Sequence, residues 1–174
     1  MIIQLTQGAV AQIDEIDADL AQFNWCVFRT GRAKNQQLYS MRWLPGAESG
    51  LGAFAYMHRI ILARMIGRQL QPNEFVDHIN HNGLDNQRAN LRLATKQQNC
   101  RNARKHSGPL TSRFKGVCWD KSKHKWLATI SINSKHVRFK RFESELAAAL
   151  AYDSWAREFF GDFAHVNFPQ NINR

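Results

Sequence analysis

VDHINHNGLDNQRANLRLATKQQN, residues 76–99, is the stretch on which the reading of this chain turns. It sets a carboxylate and an imidazole side by side at Asp77 and His78, follows them with Asp85-Asn86 and Asn90-Leu91-Arg92, and ends on a second carboxamide, Asn99. The intervening INHNGLDNQRA is rich in Asn and Gly, the composition of a hairpin connection or an Ω-loop. A helical run opens at Asn99 and extends to about Lys105. A carboxylate and an amide oxygen are hard donors suited to Mg²⁺ or a similar cation. An imidazole beside such an ion can take a proton from the water attacking a phosphodiester. Asp-His alone carries nothing, since any dipeptide recurs by chance; the whole spaced register carries the reading. The competing structural account makes Asn90 and Asn99 turn and helix caps and His78 a satisfied core histidine, and it leaves the register unexplained.

The charge distribution points to a polyanion. The net charge is +10 over 174 residues, and it is concentrated: between Arg88 and Arg141 fifteen Lys and Arg face a single acid, Asp120. A basic band between near-neutral ends is the electrostatic footprint of a nucleic-acid binder, with a merely soluble basic surface as the plain alternative. At 44% hydrophobic and 22% charged residues the chain should fold, as one domain or two small ones. Cys26, Cys100 and Cys118 are odd in number, widely spaced and without a C-x-x-C pair. A structural zinc site is therefore not expected, and reduced thiols in a cytoplasmic protein are. The amino terminus, MIIQLTQGAVAQID, lacks the basic and long apolar regions of a signal peptide, and no apolar run reaches membrane-spanning length.

The register at 76–99 resembles that of the HNH (His-Asn-His, or ββα-metal) nucleases, particularly the phage and intron homing type. The resemblance implies that Val76-Asp77 ends a strand and that Asn99 lies on a helix packed over it. Asp77 and Asn99 are then the metal ligands, His78 is the general base aimed at the scissile phosphate, and Asn90 sits on the second strand of the hairpin and braces the loop. The ion implied by the oxygen donors is Mg²⁺ or Mn²⁺. His58-Arg59, at the head of the helical segment HRIILARMIG, also recurs in the homing-type relatives. His58 is thus a candidate for active-site support, with a helix-end hydrogen bond as the alternative. His81 reads as exposed or phosphate-touching, and Arg88, Arg92, Lys96 and Arg101 are candidate contacts to the DNA backbone.

Ahead of this centre, Ile2–Leu5 and Ala9–Ile13 read as strands about Gly8, Asp14 as the cap of a short helix through Phe23 with Ile16, Leu20 and Phe23 on one face, and 25–29, 38–43 and 53–57 as strands. GRAKNQQ (31–37) and 45–52 read as loops, and Trp25 and Trp43 as core residues. Behind the centre, HSGPLTS has linker composition. Three strand-like runs then follow, at 114–119, 126–132 and 137–142. Leu127, Thr129 and Ser131 alternate with Ala128, Ile130 and Ile132 as an exposed and a buried face. Ser144 caps a helix through Phe160, stopped by Gly161, with Leu146, Ala149, Leu150, Trp155 and Phe159 as its apolar side.

FKGVCWDKSKHKW, RFKRF, ELAAALAYDSWARE and VNF make roughly residues 111–169 resemble the APETALA-type (ethylene-response-factor) DNA-binding domain. That resemblance implies a three-stranded antiparallel sheet on a helix, with the sheet entering the major groove. Plant members read bases with Arg, Trp and Glu on the exposed sheet face. Here Cys118, Asp120, Thr129, Ser131 and His136 stand where Arg or Glu is common, and Arg138 replaces a Trp, so the plant target does not carry over. Arg113, Lys115, Trp119, Lys121, Lys123, Lys125, His136, Arg138 and Lys140 are the candidate DNA contacts; Trp126 and Phe142 are packing residues.

The expectation is an α+β chain: a β-rich module at 1–57, a ββα-metal centre at 58–106, a linker at 107–112 and a DNA-binding domain at 113–169. Its function is that of a metal-dependent endonuclease of the phage homing type acting on double-stranded DNA in the host-cell cytoplasm. No membrane and no obligate protein partner are implied. A DNA-binding regulator without cleavage is the alternative; an RNA-binding module is disfavoured by the lack of an aromatic RNP-type pair or GXXG loop.

Overall fold

The structure, a computed structural model, describes residues 1–31, 36–44, 54–105 and 110–169. The loop expected at 45–52, the middle of GRAKNQQ and most of the HSGPLTS linker lie outside the described residues. The chain divides into two compact units, Met1–Asn99 and Cys100–Arg174, and the architecture is α+β, with four small antiparallel sheets among the described residues.

In the first unit, β1 (Ile2–Gln4) pairs with β2 (Val10–Gln12) around Gly8, whose φ of 77° makes the turn. Alternation puts Ile3, Ala11 and Ile13 into the core. A second sheet joins β3 (Cys26–Thr30), β4 (Gln37–Trp43) and β5 (Phe54–Tyr56). β5 runs straight into helix α1 (Met57–Ile66), closed by left-handed Gly67. β6 (Phe75–His78) and β7 (Leu91–Ala94) form a hairpin in the register Asp77↔Arg92 and His78↔Leu91. Ile3, Ile13, Leu20, Trp25, Met57, Ile61, Leu62 and Leu91 share one core, so residues 1–57 and the hairpin are built around the same apolar cluster. Each fully buried Ile or Leu there contributes about 1.5–3 kcal/mol.

Two expectations change in this unit. Residues 15–22 form a 3₁₀ helix broken at Asp17, and Asp14 does not cap it. Ile16 is 70% exposed and Asp17 is fully buried instead, because the Asp14 and Asp17 carboxylates are engaged by residues 87–88 and cannot serve the local helix. Trp25 is in the core, its indole N–H donating to the Leu20 carbonyl at 2.8 Å. Trp43, by contrast, is 59% exposed and packs on Phe54.

The units divide within α2 (Lys96–Asn102). The helix starts three residues before Asn99 because Thr95 and Gln98 cap it reciprocally: Gln98 N donates to Thr95 Oγ1 and Thr95 N to Gln98 Oε1.

The second unit is the sheet β8 (Val117–Asp120), β9 (Lys125–Ile132) and β10 (Lys135–Phe142), covered by α3 (Glu145–Phe160). Ser144 caps α3 by accepting from Ala147 N. The buried side of α3 is Ala148, Ala149, Tyr152, Asp153 and Ala156, whereas Leu146 and Leu150 are exposed, contrary to expectation. Small residues let the helix lie close on Val117, Ala128 and Ile130. Gly116 shows how close: a Cβ there would sit 2.0 Å from the Tyr152 ring, and its φ is 74°. Asp153 ties down the segment after the helix, accepting from Asn167 N, Asn167 Nδ2 and Phe168 N.

Candidate functional site

The β6–β7 hairpin delivers Asp77 and His78 as the last two residues of a strand, both buried. Alternation sends them to opposite faces. Asp77 meets its cross-strand neighbour: Arg92 Nε donates to Asp77 Oδ2 at 2.7 Å, and Nη2 lies 2.6 Å from the same oxygen. Arg92, expected to touch DNA, is therefore a structural partner of the carboxylate. His78 faces an aromatic cluster, with its ring centroid 5.2 Å from His58 edge-to-face and 5.8 Å from Tyr39. Tyr39 and Tyr56 in turn pack on His58 at 5.2 and 5.5 Å. His58 lies in the first turn of α1, and its Nδ1 has no hydrogen-bond partner among the described residues. The helix-end hydrogen bond is not made through that atom; ring packing holds the side chain.

Burial sets the protonation of both imidazoles. It pushes His58 well below the usual histidine range, and His78 and Arg59 add to the effect. His78 is also lowered by burial, partly offset by Asn86, Asp77 and Asp85. The Tyr39 hydroxyl is pushed up by burial and by the nearby Asp77 charge. For both rings burial favours the uncharged form, the form in which an imidazole accepts a proton.

Between the strands the loop is braced from within. Asn90 sits in a 3₁₀ turn (Arg88–Asn90) one residue before β7 rather than on it. Its Oδ1 accepts from Asn80 N at 2.9 Å and its Nδ2 donates to the Asp85 carbonyl at 2.7 Å, while Ile79 N donates to its backbone oxygen. Asn80 Nδ2 donates to Asp85 Oδ2. Asn86 is fully buried against His78. Gly83 has no room for a side chain: a Cβ would lie 2.3 Å from the Leu38 carbonyl oxygen on β4. His81 is half-buried at φ 62°. Asn99 is half-buried in the middle of α2, its backbone N–H donating to Thr95 O. Among the described residues no three His, Cys, Asp or Glu side chains gather as a metal cage.

Of the other cations expected at this site, Arg88 is turned inward. Its Nε and Nη2 grip Asp17 at 2.8 and 3.0 Å. Arg101 covers the Phe160 ring at 4.8 Å. Lys96 is exposed.

In the second unit the register divides the sheet into two faces. Trp126, Ala128 and Ile130 point to α3, and with them Val117 and Trp119, whose ring packs on Trp126 at 5.0 Å. A bulge between His136 and Arg138 flips β10. His136 pairs with Ser131 on the open face, but Arg138 and Lys140 pair with Ile130 and Ala128 on the helix face. Arg138 accordingly donates to Glu158 at 2.5 Å and lies 5.0 Å from the Phe159 ring. Lys140 lies 5.6 Å from the Phe142 ring. Three expected open-face contacts, Trp119, Arg138 and Lys140, are thus on the other side of the sheet. Lys115 is withdrawn as well: its Nζ donates to the carbonyls of Arg101 and Ala103 at 2.6 and 2.7 Å, and burial lowers it to about 8.

The open face carries Leu127, Thr129, Ser131, His136, Phe139 and Arg141. His136 Nδ1 lies 2.8 Å from Thr129 Oγ1 and 3.0 Å from Ser131 Oγ, so the two hydroxyls orient the ring. Phe139 is 61% exposed at the centre of this face. Arg141, which the sequence reading missed, donates to Asp120 Oδ2 at 2.8 Å. Lys125 pairs with Glu143 at 2.7 Å. Lys121, Lys123 and Arg113 remain exposed around the rim. The missed residues had a readable signal in their odd-numbered alternation, but only a known bulge position decides which alternation holds.

Comparison with known proteins agrees with this geometry. Residues 55–101 match the family model described as HNH endonuclease, and residues 112–162 match the AP2 domain. A protein of Acanthamoeba polyphaga mimivirus described as an uncharacterized HNH endonuclease is 37% identical over 111 residues, 64% of this chain and 56% of the relative. Protein 3.8 of Escherichia phage T7 is 32% identical over 90 residues, 52% of this chain and 73% of the relative. The chain thus spans little more than half the length of the mimivirus relative. No solved structure matches. No helix among the described residues is long and apolar enough to cross a membrane. With the Asp-His strand end, the braced loop and the helix-backed sheet all in place, the chain belongs to the HNH endonuclease family and carries an AP2 domain behind its nuclease motif.

Proposed function

We propose that this protein is a metal-dependent endonuclease of the phage homing type that hydrolyses phosphodiester bonds in double-stranded DNA. The observation that carries the reading is the pairing, at one strand end, of a buried carboxylate with a buried imidazole over a loop locked by Asn90. His78 takes the proton of the attacking water. Asn90 holds the loop so that His78 keeps its aim. Asp77 and Asn99 are the residues that would hold Mg²⁺ or Mn²⁺. A carboxylate and a carboxamide suit a hard ion that keeps most of its own water. When bound, the ion neutralises charge on the phosphate and assists the leaving oxygen. The fit has one condition: Arg92 already engages Asp77 Oδ2, so a bound ion would share the carboxylate with a guanidinium.

The sheet of the second unit binds DNA through its open face. His136, held by Thr129 and Ser131, and Arg141 present hydrogen-bonding groups to base edges, Phe139 an apolar surface to a thymine methyl, and Arg113, Lys121 and Lys123 positive charge to phosphates. The Arg92–Asp77 pair favours a second reading, a DNA-binding regulator without cleavage, since a carboxylate so engaged resembles a structural ion pair. Incubating supercoiled plasmid with the protein, with and without Mg²⁺, separates the two. Mg²⁺-dependent nicking or linearisation that His78→Ala abolishes supports the nuclease; binding without cleavage over a wide Mg²⁺ and Mn²⁺ range supports the regulator.

A further inference from the structure

We propose that residues 12–17, outside the stretch matched by the endonuclease family, form a clamp that positions the catalytic loop, with Asp17 acting through Arg88 and with Asp14 beside it. The inference rests on the reading of His78 as general base, and it gives the amino-terminal segment a part in the reaction.

The two stretches run side by side and are joined in order. Gln12 N donates to the Leu84 carbonyl at 2.9 Å, and Asn86 N donates to the Gln12 carbonyl at 2.8 Å. Arg88 N donates to Asp14 Oδ2 at 2.7 Å, and Gln87 Nε2 reaches Asp14 Oδ1 at 3.5 Å. The Arg88 guanidinium then closes on both oxygens of Asp17. Asp17 is fully buried, at the break in its 3₁₀ helix (φ −106°, ψ 16°). Arg64 of α1 also donates to it, at 3.0 Å. One carboxylate therefore ties the loop to the helix that carries His58.

The clamped residues are those nearest the chemistry. Asn86 packs on His78, and Asn90, two residues beyond Arg88, braces Asn80 and Asp85. A purely architectural salt bridge would have no reason to concentrate its companion hydrogen bonds on the loop between the strands, yet six hydrogen bonds join residues 12–17 to 84–88. A planar guanidinium gripping both carboxylate oxygens fixes direction as well as distance. Displacing a reactive group by about 1 Å from a remote site costs about 10²-fold in rate.

The test uses the full-length protein and single-turnover cleavage of supercoiled plasmid at saturating Mg²⁺, with DNA affinity measured separately in Ca²⁺. Asp17→Asn and Arg88→Gln are each expected to slow cleavage by about ten- to a hundredfold with circular dichroism and DNA affinity unchanged. The double variant should be no slower than the worse single one, because the pair acts as a unit. Arg88→Lys, which keeps the charge but not the fork, should recover only part of the rate. Should Asp17→Asn fail to fold, Asp14→Ala removes only the contacts to Gln87 and Arg88 and is read by the same criteria. Folded variants that cut at the wild-type rate overturn the proposal, as does an Arg88→Gln variant whose only defect is weaker, less salt-sensitive DNA binding. His78→Ala run in parallel distinguishes the two failures: if it cuts normally the base assignment falls, and if it is inactive while the Asp17 and Arg88 variants are normal, only the clamp does.

Discussion

The β6–β7 hairpin and the β8–β10 sheet use the same residue types in opposite ways. In the hairpin, His78 is buried and packed on His58, and the nearby Arg88 and Arg92 are engaged by carboxylates. In the sheet, His136 is exposed, oriented by two hydroxyls, and surrounded by groups open to solvent. A site that moves a proton needs a fixed and dry imidazole; a surface that reads an edge needs reach and an unsatisfied face. Position relative to a core, not residue type, decides which role a histidine or arginine takes.

The strongest way to break this contrast is to remove one imidazole from each side. His78→Ala is expected to lower the cleavage rate by roughly 10²–10⁴-fold, the usual cost of a missing general base, with DNA affinity nearly unchanged. His136→Ala should do the reverse, weakening affinity for the preferred site while leaving the single-turnover rate at saturating protein unchanged. Plasmid cleavage and fluorescence-anisotropy titrations measure the two. Wild-type cutting by His78→Ala would end the catalytic assignment, and an equal effect of both substitutions would end the division of roles.

The next effect concerns the ion. Asp77→Ala and Asn99→Ala should each require much more Mg²⁺ or Mn²⁺ for any cleavage, since on the proposed reading each removes one of few protein ligands. Stoichiometric zinc in protein purified without added metal would count against oxygen ligation. Arg92→Leu is a sharper probe, because it removes the guanidinium that holds the buried Asp77 carboxylate. A loss of about 3 kcal/mol in folding stability is expected, read by urea denaturation, whereas a backbone-contacting arginine would instead alter the salt dependence of binding.

The difference between the two regions also explains what was legible in the sequence. Asp77, His78 and Asn90 lie within one hairpin, so their chemistry is written in local spacing, and the structure gathers Asp77 and His78 at one strand end around a loop that Asn90 braces. The start of α2 was readable too, from the Thr95–Gln98 capping pair, three residues ahead of the opening at Asn99 expected from the sequence. The sheet face depended on register, and a single bulge after His136 sent Arg138 and Lys140 to the helix side. Arg88 was misread because its partner Asp17 is 71 residues away, a distance that no local pattern spans. Lys115 was misread for a simpler reason: nothing in FKGV signals that its amine ends on the carbonyls of Arg101 and Ala103.

That last contact sharpens the boundary between the two regions. Lys115 reaches back to Arg101 and Ala103, and Lys105 reaches forward to the carbonyls of Phe114 and Val117. A fragment starting at residue 113 loses both attachments, and one starting at Cys100 keeps them. The 100–174 fragment should therefore bind DNA without cleaving it and melt several degrees above 113–174, since each charge-assisted hydrogen bond contributes about 1.5–3 kcal/mol. Equal melting temperatures would show that the two lysines are incidental to the domain.

The smallest expected effect is acid sensitivity, and it belongs to the first unit. Burial works against the Asp17 charge, but hydrogen bonds from Arg88 and then Arg64 outweigh it and hold the carboxyl below its ordinary value of 3.8. A carboxyl lowered in the folded state contributes stability that is present above its unfolded value and lost as pH falls through the folded one. Unfolding of the full chain should thus be flat in this contribution above about pH 5 and become easier below about pH 4. In Asp17→Asn the same descent should be shallower, because the amide does not titrate, although the variant starts from lower stability. The open sheet face has a lowered carboxyl of its own, Asp120, held at about 2 by Arg141 and then Ser122, but that pair lies at the surface, where solvent screening leaves it little weight in stability. Denaturant midpoints between pH 3 and pH 7 for the wild type and Asp17→Asn measure the difference, and parallel curves would mean that Asp17 does not carry the acid transition.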